Sequence, residues 1–136
     1  MAGDATRTTI NELLDAARRK LRRLEPQHAC DTMVGGAVLI DIRSEHQRER
    51  DGVIPGAHLV PRNALEWRLD PASGCSDPSL GEGLDRLVIL VCDEGYQSSL
   101  AAATLQDLGF LHATDLIGGF QAWRAAGLSV ERHRPT

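Results

Sequence analysis

The sequence has few of the features that would settle its class at once. No apolar run approaches the roughly 18–20 residues of a membrane span. The opening stretch, Met1 to Ile10, has no apolar signal core, so secretion is not expected. Cysteine is scarce: Cys30, Cys75 and Cys92 are three residues, an odd and widely spaced set that forms no disulfide framework. A reduced, cytoplasmic setting fits that pattern. There is no Cys-x-x-Cys, and the five histidines show no metal-ligand spacing, so no metal is expected. Excess positive charge is also missing. The net charge of −4 argues against nucleic acid as the main partner. Gly118-Gly119 precedes a helical segment, but neither a phosphate-loop lysine nor a dinucleotide fingerprint accompanies it. The pair therefore reads as turn and packing geometry, and no cofactor is implied. Internal repeats and low-complexity tracts are absent.

The chain is ordinary in size and composition. Its 136 residues suit one domain, long enough to bury a core without disulfides. Apolar positions Ile10, Leu13, Leu14, Ala17, Leu21 and Leu24 make one helical stripe over residues 9–24, with Thr8 or Thr9 as its cap. That stripe either packs on its own domain or meets a second copy. The run from Arg18 to Arg23 reads as a solvated helix face, with an anionic partner as the alternative. Pro26 ends this helix by Glu25 and suits the first turn of a second helix, roughly 26–34.

Beyond Gly35-Gly36, a buried strand is predicted from Ala37 to about Ile42. A short polar helix over 45–50 follows, then a strand near Ala57–Val60 and a short helix over 63–69. Residues 70–78 are loop by composition. The continuous apolar run Leu87–Val91 is the strongest strand, of the kind covered on both faces. Residues 98–108 predict a helix closed by Gly109. A strand near Thr114–Ile117 and a helix over 120–126 complete the pattern. Strands alternating with helices imply an α/β fold, a parallel sheet flanked by helices on both faces.

One window carries chemistry. Cys92 stands where the strongest strand stops, and Asp93-Glu94-Gly95-Tyr96-Gln97-Ser98 lead into a helix. Ligands of open α/β sheets bind beyond the C-terminal strand ends. Backbone N–H groups of such a loop, and of the helix N-terminus, can surround an anion such as a thiolate or a persulfide sulfur. Gly95 permits the tight path. A buried cysteine also serves as a small apolar filler, and strand context alone leaves both roles open for Cys92. Cys30 reads as filler, Cys75 as exposed loop, and Trp123 as core.

Further stretches stand in register with that window, making three signatures in all. Leu39-Ile40-Asp41-Ile42-Arg43, then Ile54-Pro55-Gly56-Ala57-His58 and Val60-Pro61-Arg62, open the series. Cys92 to Ser98 is its middle, and Leu116-Ile117-Gly118-Gly119 with Trp123 closes it. In order and spacing, over roughly 25–130, these resemble the signatures of the rhodanese-like sulfurtransferases. The resemblance implies a five-stranded parallel sheet, a domain over 25–132 with residues 1–24 as a helical extension, and a persulfide on Cys92. Residues 93–98 would bind the substrate. Arg62 and Arg43 are candidates to line the site, each with a structural ion pair as its alternative. Asp41 is expected to fix loops by hydrogen bonds.

The implied partners are a small sulfur donor and a thiol, cyanide or carrier-protein acceptor, with no nucleic acid and no membrane. The sequence departs from the family pattern at Gln97, where many members have Arg. It also departs at Val53, often His, and at the acidic Asp93 and Glu94. Phosphatases of this fold have one more residue between Cys and Arg. The shorter Cys92–Gln97 loop without that Arg disfavours phosphate chemistry. A catalytically weak binding or regulatory module is the alternative to a sulfurtransferase.

Overall fold

Elements follow one another as the alternation requires. In a computed structural model, which describes residues 6–134, α1 (Ile10–Arg19) and α2 (Pro26–Val34) precede β1 (Val38–Asp41), α3 (Glu45–Asp51) and β2 (His58–Leu59). A 3-10 turn over Arg62–Ala64 enters α4 (Leu65–Leu69). Then come β3 (Val88–Val91), α5 (Gln97–Asp107), β4 (Ala113–Asp115) and α6 (Gly119–Ala125). Met1–Ala5, half of the stretch read for a signal core, lie outside the described residues. Among the described residues, no helix is long and apolar enough to cross a membrane.

The sheet is parallel in the order β2-β1-β3-β4, so it has four strands where the resemblance implied five. The fifth position is reduced to one residue. Leu24 lies parallel to Leu116 at the β4 edge, donating its N–H to the Asp115 carbonyl at 3.0 Å and accepting from the Ile117 N–H at 2.8 Å. Pro26 opens α2 two residues later, which leaves the extended segment no room to lengthen.

Helices cover both faces. Successive β3 side chains point to opposite sides, and all four are buried. Ile89 and Val91 join Ala29 of α2 and Phe120 and Trp123 of α6 in one cluster. Val88 and Leu90 join Leu65 and Leu69 of α4 and Ala101, Ala102 and Leu105 of α5 in the other. Burial of each large apolar side chain contributes about 1.5–3 kcal/mol, so this central strand is held from both sides.

The N-terminal helix departs from its expected stripe. Thr9 caps it in a reciprocal capping box with Glu12, but the helix stops at Arg19. Only Leu14 and Ala17 are buried, against α5, while Ile10 and Leu13 are 62% and 50% exposed. Leu21 and Leu24 reach the core from extended chain rather than from a helix face. The segment thus packs on its own domain.

Candidate active site

Chain order in the sheet creates the site. β1 leads outward to β2 on one side, and β3 leads to β4 on the other. The crevice beyond the ends of β1 and β3 is the place where such sheets bind ligands. Cys92 follows β3 directly and is 7% exposed. It opens on a shallow cleft of about 280 Å³. Ile42, Ser44 and Gln47 line one wall, from the end of β1 and the start of α3. Asp93, Glu94, Tyr96 and Gln97 line the other.

The Cys92 sulfur acts as a cap for α5. A helix N-terminus has N–H groups without internal partners, and no side chain of Tyr96 caps this one. Instead, Cys92 Sγ accepts from the Gly95 N–H at 3.1 Å and from the Ser98 N–H at 3.4 Å. The Ser98 hydroxyl lies 3.2 Å from the same sulfur. The positive end of the α5 dipole favours negative charge at that point. Gly95 has φ +89°, a conformation open to glycine, and a Cβ there would sit 2.8 Å from the Gly118 nitrogen.

The start of α6 pins the loop from behind. The Phe120 and Gln121 N–H groups donate to the carbonyls of Cys92 and Asp93 at 2.9 and 3.1 Å. Gly119 makes this approach possible: with φ +63°, a Cβ would meet the Cys92 carbonyl oxygen at 2.5 Å. The Gly-Gly pair is therefore the packing device expected of it. The Gln121 amide also donates to Asp93 at 2.9 Å and to Asp51 at 3.0 Å. Hydrogen bonds from Arg50 first, and then from Gln121, hold the Asp51 carboxyl well below the usual carboxylate range against the opposing effect of burial.

A buried polar network underlies the loop. Asp115, fully buried at the end of β4, accepts the hydroxyls of Ser98 and Ser99, each at 2.7 Å. Arg23 grips the same carboxylate at 2.8 and 3.3 Å. Arg23 and Arg18 both donate to the Gly95 carbonyl, at 3.1 and 2.7 Å, and Arg18 also reaches the Ser99 hydroxyl. Sequence reasoning missed Arg18, Arg23, Ser99 and Asp115. Arg18 and Arg23 belong to the run expected to be a solvated helix face, and the structure corrects that expectation. An acid in a short strand, next to Leu116 and Ile117, was the one available signal for Asp115.

Of the two candidate arginines, Arg43 lines the Cys92 cleft but keeps its guanidinium out of solvent, and Arg62 lies elsewhere. Arg43 has a fully buried side chain paired with Asp41 at 2.8 Å. It also donates to the Gly52 carbonyl at 2.8 Å, and its guanidinium stacks on the Phe120 ring at 3.8 Å. Asp41 additionally accepts the Arg43 N–H, so it fixes the turn after β1. Arg62 pairs with Glu66 at 2.8 Å and does not line the Cys92 cleft. Cys75 is exposed, while Cys30 and Trp123 pack in the core as expected. No group of three or more potential metal ligands occurs among the described residues.

Comparison with known proteins bears on this geometry. The sequence model described as "Rhodanese-like domain" matches residues 25–126. The chain is 33% identical over 106 residues to thiosulfate sulfurtransferase GlpE of Ectopseudomonas mendocina, covering 78% of this chain and 87% of that protein. It is 36% identical over 86 residues to the adenylyltransferase and sulfurtransferase MOCS3-2 of Zea mays, covering 63% of this chain but only 17% of that much longer protein. Among solved structures, a Rhodopseudomonas palustris protein of unknown function, described as a possible tyrosine phosphatase, superposes with a TM-score of 0.83. It is 37% identical, with 93% of this chain and 96% of that chain covered.

Proposed function

We propose sulfur transfer from one premise: this chain belongs to the rhodanese-like domain family. In this reading, the Cys92 thiolate attacks the outer sulfur of a small donor. The donor's own bond to that sulfur breaks, the remainder leaves with the electron pair, and Cys92 holds the sulfur as a persulfide. A thiol, cyanide or a carrier protein then takes the outer sulfur, and the thiolate returns. The carrying observation is the hydrogen bonding of Cys92 Sγ by the Gly95 and Ser98 N–H groups at the start of α5. Donors fixed in advance stabilise an anion without reorganising during the reaction. The transfer uses no cofactor or metal, and a reducing compartment suits a free thiol.

The cleft bears on the donor. Asp93 and Glu94 border it, and Gln97 stands where a cation would hold an anionic donor. Two like charges about 8 Å apart repel by roughly 2 kcal/mol at an effective dielectric near 20, and less in water. The helix N-terminus returns about 0.3–2 kcal/mol. Neutral or monoanionic sulfur donors therefore suit this mouth better than thiosulfate, the donor in the name of the GlpE relatives. Turnover with thiosulfate, mercaptopyruvate and glutathione persulfide tests this ranking. The fastest turnover should come from mercaptopyruvate, the monoanion of the three. Preference for thiosulfate would reverse the reading.

A second reading is favoured by the same acidic loop. Without a loop arginine, the domain would bind a partner and carry no sulfur. Cys92 that takes up sulfur from no donor, with partner binding kept in Cys92→Ser, would establish it. The phosphatase description of the Rhodopseudomonas palustris relative finds less support. The loop from Cys92 to Gln97 lacks both the extra residue and the arginine that hold phosphate.

A further inference from the structure

We infer that Arg18 and Arg23 are positioning residues for the reaction at Cys92, and that the N-terminal segment is part of the active site. This rests on the sulfur-transfer reading for its rate prediction, but not for its spectroscopic one.

Both guanidiniums converge on one backbone atom, the Gly95 carbonyl oxygen, from positions 77 and 72 residues earlier in the chain. A trans peptide sets its N–H opposite its C=O. With the Gly95 carbonyl drawn toward the arginines, the Tyr96 N–H of the same peptide faces the other way. Among the described residues that N–H meets no acceptor. Two adjacent donors of the loop, the Gly95 and Ser98 N–H groups, already reach Cys92 Sγ. The arginines thus hold the peptide that leaves a third N–H free for a sulfur added to Cys92. The positive φ of Gly95 lets the peptide take this orientation.

The two arginines differ in charge balance. Arg23 is neutralised by Asp115. Arg18 meets a hydroxyl, a carbonyl and the face of Tyr96 at 5.5 Å, and no carboxylate lies within ion-pair distance of it among the described residues. Arg18 therefore brings an uncompensated positive charge to the Gly95 carbonyl, outside the cleft that Asp93 and Glu94 border. A cation there polarises the Gly95–Tyr96 peptide and favours an anionic sulfur. It takes over, from outside the loop, the charge that Gln97 lacks.

The test uses Arg18→Gln and Arg18→Lys, with Arg19→Gln as the control. Arg19 is exposed on the same helix and carries the same charge. Two quantities are read: the ultraviolet absorbance of the Cys92 thiolate at neutral pH, and steady-state sulfur transfer. In Arg18→Gln the thiolate absorbance should fall. Its kcat should drop about tenfold at unchanged acceptor KM, a factor equal to about 1.4 kcal/mol of transition-state stabilisation. Arg18→Lys should recover part of the absorbance because it keeps the charge, and Arg19→Gln should match the parent in both. If Arg18→Gln keeps parental absorbance and kcat per folded molecule while its unfolding midpoint falls, Arg18 only anchors the helix and the inference is overturned. If no protein transfers sulfur, the proposed function fails, and the absorbance comparison still decides the role of Arg18.

Discussion

Gly119→Ala puts a number on how tightly α6 sets the reactive loop. A Cβ at this position would lie 2.5 Å from the Cys92 carbonyl oxygen and 2.7 Å from the carbonyl carbon and oxygen of Asp93. The closest of these is about 0.9 Å short of an ordinary 3.4 Å contact. The backbone cannot yield freely, because the Phe120 and Gln121 N–H groups hold those same two carbonyls. Two costs combine. The positive φ of 63° costs a non-glycine residue about 1–2 kcal/mol. Forced overpacking costs about 1–3 kcal/mol more.

Gly127→Ala is the internal control. It has φ +76° but nothing within 4 Å of its Cβ, so it bears the conformational cost alone. Urea unfolding should therefore place Gly119→Ala about 1–3 kcal/mol below Gly127→Ala, with the same dependence on denaturant. Sulfur loading should separate the two more widely. A misplacement of about 1 Å at reacting groups costs on the order of a hundredfold in rate, whereas Gly127→Ala should load like the parent. If the two variants match in stability and loading rate, the Gly119 contact does not set the position of Cys92.

Three further outcomes follow from named contacts. Arg43→Met leaves Asp41 buried without its partner and should cost about 3–5 kcal/mol. Its loading rate per folded molecule should stay parental, since Arg43 borders the cleft with its side chain fully buried; a selective loss with anionic donors would put its guanidinium in contact with the donor. Glu94→Gln removes one exposed charge at the cleft mouth and should raise turnover of thiosulfate severalfold, about 2–10 times, while a neutral donor is unaffected. Equal effects on both donors would rule out the charge argument. The C-terminal segment should loosen in acid. His133, by hydrogen bonding, and then Arg48 hold the Glu45 carboxyl below its ordinary value of 4.5, although burial opposes them. A lowered carboxylate pKa gives stability that is present above the ordinary value and lost as pH falls through the lowered one. The protection factors of the Val53 and Glu131 amides, each bonded to the other residue's carbonyl and corrected for the intrinsic exchange rate, should fall below about pH 4.5. Glu45→Gln should abolish that step.

The parts of the molecule that are legible in its sequence are those whose cause is local. Leu87–Val91 reads as a two-faced buried strand because each of its side chains meets apolar surface. Thr9, one of the two caps read for α1, announces a helix start through a capping box that closes within three residues. Gly118-Gly119 is visible as a device, though not its target, the carbonyl of Cys92. What stayed hidden depends on distant partners. Arg18 and Arg23 look like any charge run until the fold brings Gly95 and Asp115 beside them. The apolar spacing to Leu24 is helical in period, yet Leu24 gains more by pairing with β4 than by extending α1. That edge pairing, only one residue long, is also why a four-stranded sheet stands where five strands were expected.

The central claim is that Cys92 carries sulfur, and intact mass spectrometry tests it most directly. The protein is incubated in turn with thiosulfate, mercaptopyruvate and glutathione persulfide, then weighed before and after a thiol is added. The account predicts a gain of one sulfur atom that the thiol removes and that Cys92→Ser never shows, although Cys30 and Cys75 remain. A sulfur gained equally by Cys92→Ser, or by neither protein from any donor, would contradict it.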